Sequence, residues 1–363
     1  MASSAATRNA NAMSAAYLNA VASANPPHEV HGLFKTFARR QITDRRRVLL
    51  DRMLERSGIE ARYSPLEPLE TEASMDAEDF YRYGSFPPTS ARMALYDREA
   101  APLAEKAVRA LRADLDGVTH LLVTTCTGLS APGIDLQLTE RLGLNPSVER
   151  TVIGFMGCYA AINALRLARQ IVLAEPDAKV LCVSVELCTL HLHETDDLEK
   201  VLSFSIFGDG AAAALVTADP EGFRLDSFKT TTMPDDRSLI TWQVGDTGFD
   251  MHLSGETPAA LRRGLPTAMQ ALSQEGTDDI DLWAVHPGGK SILDAVESSL
   301  ELQPHALEPS REILRRFGNM SSATVLFVLE HMLQSEPEPG AKGITMAFGP
   351  GLTAETMRFT AAG

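Results

Sequence analysis

One order of elements occurs twice in this chain: a small-residue turn, a long apolar helix, a Glu-Pro break, a lysine and then a strand. That repetition constrains the fold more than any single motif. The first copy is GCYAAINALRLARQIVLAEPDAKVLCVSVE at 157–186, and the second is GNMSSATVLFVLEHMLQSEPEPGAKGITMAFG at 318–349. Cys158 and Asn319 open the two helices in matching places, and Lys179 and Lys342 start the two strands. Each copy is accompanied by a Gly-rich strand entry, FGDGAAAALV at 207–216 and FGPGLTAETMRF at 348–359. In such a duplication neither half buries its helix face alone, so the equivalent helix N-termini are expected to face a shared cleft. Alternating strands and helices make the chain α/β. Turn signals in VTADPEGFRL put a boundary near residue 220, dividing an N-terminal half (16–220) from a C-terminal half (221–363), behind a flexible tail over 1–15.

A chain of 363 residues with 44% hydrophobic and 22% charged residues has the size and composition for two packed cores, and excludes both a small binding module and a disordered protein. The formal charge of −15 argues against nucleic acid or an anionic membrane as the main partner. An anionic substrate needs a local basic patch, and residues 35–62 supply a candidate, with nine basic against four acidic side chains. Arg52 and Arg56 are spaced to share a helix face there. That face reads either as a solvated surface with ion pairs to Asp51 and Glu55 or as an anion-docking site. Cys126, Cys158, Cys182 and Cys188 contain no CxxC pair and read as free thiols in a reducing compartment, the cytoplasm. No apolar run approaches the roughly 18–20 residues of a membrane helix. The Pro- and acid-rich stretch 64–91 reads as a long surface excursion, and HLLVTTCTG as a buried strand entering a turn.

Cys158 follows FMG at a helix start, where unpaired N–H groups and the helix dipole favour a thiolate. A buried inert cysteine is the alternative for any single thiol, and Cys182 in VLCVSV fits it. His286 ends an apolar strand at the turn HPGG, a place where α/β proteins present functional side chains. Asn319 is either a helix N-cap or the second-copy counterpart of Cys158. Taken together, the three supply a nucleophile, a general base and a neutral hydrogen-bond donor. His191 and His193 in TLHLHETDD lack a third ligand at usable spacing, so no metal is assigned.

With these residues in place the chain resembles a type III polyketide synthase of the chalcone synthase-like branch of the thiolase superfamily. The likeness runs over roughly residues 16–360 and is carried by VTTCTGLSAPGIDLQL (123–138), GFMGCYAAINALRLA (154–168), FSIFGDGAAAALV (204–216), WAVHPGGKSIL (283–293), FGNMSSATV (317–325) and AFGPGLTAE (347–355). It implies a thiolase fold with a duplicated αβαβα layered core, a homodimer, and acyl-CoA and malonyl-CoA as substrates with no cofactor. By the same resemblance Cys158 carries the acyl chain, while His286 keeps its thiol ionised and, with Asn319, binds the malonyl thioester carbonyl. Phe207 matches a gatekeeping phenylalanine, and Met251 stands where a second one is usual. Arg52 and Arg56 match two CoA-phosphate contacts, and Leu49 stands at a third.

Around the cavity, Cys126 and Thr127 stand at a wall position and Ala131 where a methionine is lent across the dimer. Cys188 and His191 stand where chain length and cyclisation are set. The departures fit microbial enzymes primed by fatty acyl-CoA or malonyl-CoA, with a resorcinol, phloroglucinol or pyrone as product; the small Ala131 and flexible Met251 favour an aliphatic starter. Two other readings use the same residues: a ketoacyl-carrier-protein synthase III performing one condensation, whose histidine motif resembles HQAN rather than HPGG, and a non-catalytic acyl-CoA-binding paralogue.

Overall fold

The computed structural model describes residues 15–43, 45–272 and 279–362. The tail expected over 1–15 lies, but for its last residue, outside them. Nine strands form the main sheet: β1 (Tyr17–Ala24), β2 (His120–Thr125), β3 (Glu149–Gly154), β4 (Val180–Leu187), β5 (Asp209–Thr217), β6 (Phe223–Thr232), β7 (Leu282–Val285), β8 (Lys342–Gly349) and β9 (Thr353–Ala361). Their order is β7-β8-β9-β6-β1-β5-β4-β2-β3. The repeat is visible in the pairing. β2 and β4 are parallel, β4 and β5 antiparallel, β5 and β1 antiparallel; β7, β8, β9 and β6 repeat that pattern in mirror order. The two sets join where Tyr17 and Leu18 pair with Arg224 and Phe223.

Side-chain alternation along each strand produces the layers. In β4, Val180 and Cys182 face a central core, whereas Leu181, Val183, Val185 and Leu187 face an outer one. The outer core is covered by α1 (Thr89–Ala110) through Leu95, Leu103 and Ala107. In the central core, α2 (Ala160–Ala174) and α3 (Thr324–Gln334) pack between the two strand sets. α3 is apolar nearly all round, TVLFVLEHMLQ, as a helix enclosed on every side must be. On the far face, Leu261 and Leu265 of one helix and Ile292 and Val296 of another cover Trp283, Val285, Ile344 and Met346. The result is five layers, α/β/α/β/α.

The stretch 64–91 is irregular, as expected, but it is not merely a surface excursion. Asp76 accepts hydrogen bonds from the amides of Glu78, Phe80 and Tyr81, folding the segment so that Met75 and Tyr81 are buried. Tyr81 then donates its hydroxyl to the Thr189 carbonyl at 2.7 Å, and buried Arg92 donates to the carbonyls of Leu190 and Leu192. This segment and the first turn of α1 therefore brace the loop 188–192 from behind. Among the described residues, no helix is long and apolar enough to cross a membrane.

Candidate active site

The two repeats bring their helix entries together beneath the sheet. Each entry is a short 3-10 turn, Gly157–Tyr159 before α2 and Ser321–Ala323 before α3, and the two turns pack on each other. Both repeat glycines have positive φ, +76° at Gly157 and +69° at Gly318. A Cβ on Gly157 would lie 2.3 Å from Pro350, and one on Gly318 would lie 2.7 Å from the Ile206 carbonyl, so neither place admits another residue without displacement.

The copies are not in strict register. Gly157 precedes Ala160, the start of α2, by three residues, and Gly318 precedes Thr324, the start of α3, by six. The additional residues move Asn319 off the helix end. Asn319 is therefore not the N-cap of α3: its Oδ1 accepts from the Ser321 amide at 2.8 Å, and its Nδ2 donates to the Gly288 carbonyl at 3.3 Å. The non-glycine Ser321 is held at φ +48°, in the left-handed region, and its hydroxyl lies 3.9 Å from the Cys158 sulfur. Asn319 thus links the Cys158 turn to the HPGG turn that carries His286.

Burial governs the charge state of both titrating groups. The Cys158 thiol is pushed up to about 12, chiefly by burial and against hydrogen bonds from Ser321 and Asn319. Burial likewise pushes His286 down to about 3. The sequence suggested a thiolate stabilised by the helix terminus and the imidazole. Desolvation opposes both, disfavouring the charged form of the thiol and of the imidazole alike. His286 is buried with neither ring nitrogen hydrogen-bonded, although its amide is fixed on Met346.

The Cys158 thiol opens into a cavity whose walls include Cys126, Thr127, Cys188, Phe207, Trp242, Met251 and Ser321. Cys188, Phe207 and Met251 pack together at one end. Met251 belongs to a hairpin, Ile240–Leu253, latched in place by the Trp242 indole donating to the Cys126 carbonyl at 2.7 Å. The Cys126 sulfur accepts from the Gly157 amide at 3.1 Å. Thr127 donates to Glu186 at 2.8 Å and accepts from the Leu187 amide.

His191 does not line this cavity. It sits behind the wall, donating from Nε2 to the Thr127 carbonyl at 2.7 Å, accepting from the Phe249 amide at Nδ1, and stacking on Phe249 at 4.2 Å. Burial holds it neutral, its pKa down to about 3. Ala131 is exposed and does not line the cavity of its own chain.

Arg52 and Arg56 are exposed on the helix Arg45–Arg56, with Leu49 (49% exposed) on the same face. The ion pairs with Asp51 and Glu55 do not form: Asp51 binds Arg39 at 2.7 Å, and among the described residues Arg52 and Arg56 have no ion-pair partner. Through Leu50 and Leu54 this helix packs on Val201, in the helix Leu198–Phe204 that leads into Phe207. One member of the basic stretch points inward. Arg62 is wholly buried, donating from Nε to His31 and from Nη1 to the carbonyls of Phe204 and Phe207.

Glu186 was not singled out from sequence, although an acid in the apolar strand VLCVSVEL was a signal. It is fully buried and accepts from the Cys126 amide (2.9 Å), Thr127 (2.8 Å) and Ser322 (2.5 Å). Burial raises its pKa to about 7 against those hydrogen bonds, and raises Asp209 to about 8. A carboxyl whose folded-state pKa is raised binds its proton more tightly when folded. Its stabilising contribution is complete below the ordinary value near 4.5 and is lost as the pH rises through about 7. Denaturant melts should therefore show Glu186 removing roughly 3 kcal/mol between pH 4.5 and 8. The variant Glu186→Gln should flatten that slope, and an unchanged slope would refute the assignment.

Two helix entries that set a thiol beside a carboxamide, with a buried imidazole two residues from the Gly288 carbonyl that holds the carboxamide, inside an α/β/α/β/α core, are the architecture of a thiolase-fold condensing enzyme. The chain belongs to the chalcone and stilbene synthase family, the type III polyketide synthases. The model of that family's N-terminal domain matches residues 3–220 and that of its C-terminal domain residues 224–362. Among curated relatives, the alpha-pyrone synthesis polyketide synthase-like Pks18 of Mycobacterium tuberculosis is 37% identical over 284 residues, covering 74% of this chain and 72% of the relative. Among solved structures, PKS-I of the brown alga Ectocarpus siliculosus superposes with a TM-score of 0.87 at 27% identity, covering 97% of this chain and all of that one. The C-terminal type III polyketide synthase domain of Steely1, a type I/III hybrid from Dictyostelium, gives a TM-score of 0.86 at 25% identity, over 96% of this chain and all of that domain.

Proposed function

We propose that the enzyme loads an acyl group from acyl-CoA onto Cys158, extends it repeatedly with malonyl-CoA, and cyclises the product. The observation that carries this reading is His286, a buried imidazole with two unpartnered nitrogens beside the Asn319 and Gly288 link; buried polar groups left open in this way need a reason, and a substrate supplies one. The thiol proton passes to His286 as sulfur attacks the acyl-CoA carbonyl, and His286 hands it to the CoA sulfur, which leaves as the free thiol. Malonyl-CoA then loses carbon dioxide. The electron pair of the broken C–C bond becomes an enolate, whose oxygen is held by His286 and by the Asn319 amide. The enolate carbon attacks the Cys158 thioester and the Cys158 sulfur leaves as thiolate; that thiolate then attacks the lengthened chain's CoA thioester, CoA leaves, and the chain is back on Cys158 for another cycle. Carbon dioxide loss drives each condensation, so the scheme needs no metal or organic cofactor.

Resorcinol, phloroglucinol and pyrone products all follow from such a chain; the alpha-pyrone activity in the name of the mycobacterial relative favours a pyrone, formed when an enol oxygen attacks the terminal thioester. Arg52 and Arg56 dock the CoA phosphates, supported by their free guanidinium groups on the helix packed against the gate. Four buried free cysteines suit the cytoplasm. A homodimer is supported by the exposed Leu129, Leu136 and Val152 around edge strand β3, near the exposed Ala131. The mostly apolar cavity and the flexible Met251 favour an aliphatic starter. Met251→Phe should shift the preferred acyl-CoA toward shorter chains, read as kcat/KM across a chain-length series; an unchanged profile would remove Met251 from the specificity wall. The test of the whole scheme is whether acyl-CoA and malonyl-CoA together yield multiply extended products.

A further inference from the structure

Arg62 is a wholly buried guanidinium, and among the described residues it has no ion-pair partner. A buried charge with no carboxylate against it is costly unless fixed acceptors take the place of water. The acceptors here are the backbone of the gate segment. Nη1 donates to the Phe204 and Phe207 carbonyls, both at 2.9 Å, while Nε donates to His31 Nδ1 at 3.0 Å and the guanidinium lies 4.9 Å from the centre of the Phe34 ring. Between those two carbonyls stands Ile206, whose own carbonyl accepts from the Asn319 amide at 2.9 Å; the Asn319 carbonyl in turn accepts from the Gly208 amide at 3.0 Å. Phe207 and Asn319 are thereby joined as a parallel bridge. The aliphatic stem of Arg62 packs beside both partners. A Cβ on Gly318 would lie 2.8 Å from Arg62 Cγ, and one on Gly208 would lie 3.3 Å from Arg62 Cβ.

We propose that Arg62 is a positioning residue that holds the Phe207 gate and the Asn319 carboxamide in one fixed register. This rests on the proposed loading and extension at Cys158 and adds the group that keeps the chain on the enzyme between condensations. A planar guanidinium meets two converging carbonyls in one orientation, whereas an ammonium on a flexible stem does not fix that geometry. Through the bridge, any shift of segment 204–208 is passed to the Asn319 backbone, so Nδ2 moves relative to the malonyl thioester carbonyl. The same shift moves the Phe207 ring, past which the lengthened chain on CoA returns to Cys158. Loading calls on the Gly157 turn and His286, whereas the hydrogen bonds of Arg62 go to His31, Phe204 and Phe207. Loosening the clamp therefore costs extension more than loading and lets partly extended chains leave.

The test pairs single-turnover loading of Cys158 from a saturated medium-chain acyl-CoA with product analysis on isotopically labelled malonyl-CoA, both by mass spectrometry. Two ratios are read: extension rate over loading rate, and singly extended over multiply extended product. Neither depends on what fraction of a variant is folded. A misplacement of about 1 Å costs on the order of 10²-fold, so Arg62→Lys, which keeps the charge and loses the planar fork, should lower the first ratio about tenfold and raise the second by a similar factor. His31→Phe removes the acceptor of Nε and leaves Arg62 in place. It should move both ratios the same way by about threefold, and it decides the matter if Arg62→Lys does not fold. Loading and extension falling together, with the product ratio unchanged, would overturn the positioning role while leaving condensation on Cys158 intact. A parent enzyme that forms no multiply extended product would overturn the iterative scheme and this role together.

Discussion

Cys158→Ala is expected to lower polyketide formation by at least about 10⁴-fold, because no other group near the cavity can take over as nucleophile. Cys126 lies on the same wall, but its sulfur accepts from the Gly157 amide, and burial and the nearby Glu186 raise its pKa further. Cys188 is buried at the gate with its pKa likewise raised. The substitution is small and the turn is held by Gly157 and Pro350, so the fold should persist and thermal denaturation should show a parent-like transition. Mass spectrometry after incubation with acyl-CoA should find the acyl adduct in the parent and none in the variant. A variant that still accumulates adduct would transfer the nucleophile to another cysteine.

Asn319→Asp is expected to cost about 10² to 10³-fold in kcat, the range for removing one donor to a developing oxyanion. The change is discriminating because of what each side-chain atom does. Oδ1 accepts from the Ser321 amide, a role aspartate keeps, so the strained turn around Ser321 should survive. Nδ2 is the donor, and aspartate replaces it with an oxygen and a negative charge facing the forming enolate. Loading of Cys158 should be much less affected than extension. Equal losses in loading and extension would show that Asn319 acts through the architecture of the turn rather than on the enolate.

The fold and the catalytic constellation were legible for different reasons. α3 announces itself because a helix enclosed on every side must be apolar nearly all round, α2 by an apolar periodicity along its buried face, and their glycine entries because each needs a positive φ against a close neighbour. The register between the copies was less legible: a three-residue difference changes no hydrophobic pattern, yet it carries Asn319 from a capping position to the link with Gly288. Charge states were not legible. A helix N-terminus and a neighbouring imidazole are local signals, whereas the desolvation that raises the Cys158 thiol comes from all the segments enclosing the cavity.

Segments far apart in sequence hid the rest. Arg62 counted toward the basic stretch but is buried under the Phe204 and Phe207 carbonyls, and His191 occupies a cavity position in the motif but is drawn behind the wall by Thr127 and Phe249. Asp76, in a stretch that reads as surface, organises the brace behind loop 188–192. Glu186 had a visible signal, a carboxylate in an apolar strand, whose meaning depended on Ser322 from the other repeat.

The central claim is iterative condensation on one thiol. Its most direct test is mass spectrometry of the products formed from isotopically labelled malonyl-CoA with a panel of acyl-CoA starters. The account predicts cyclic products containing two or more malonyl-derived units per starter, lost in Cys158→Ala. Products never longer than a single extension, with every starter, would contradict it and leave a one-step condensing enzyme.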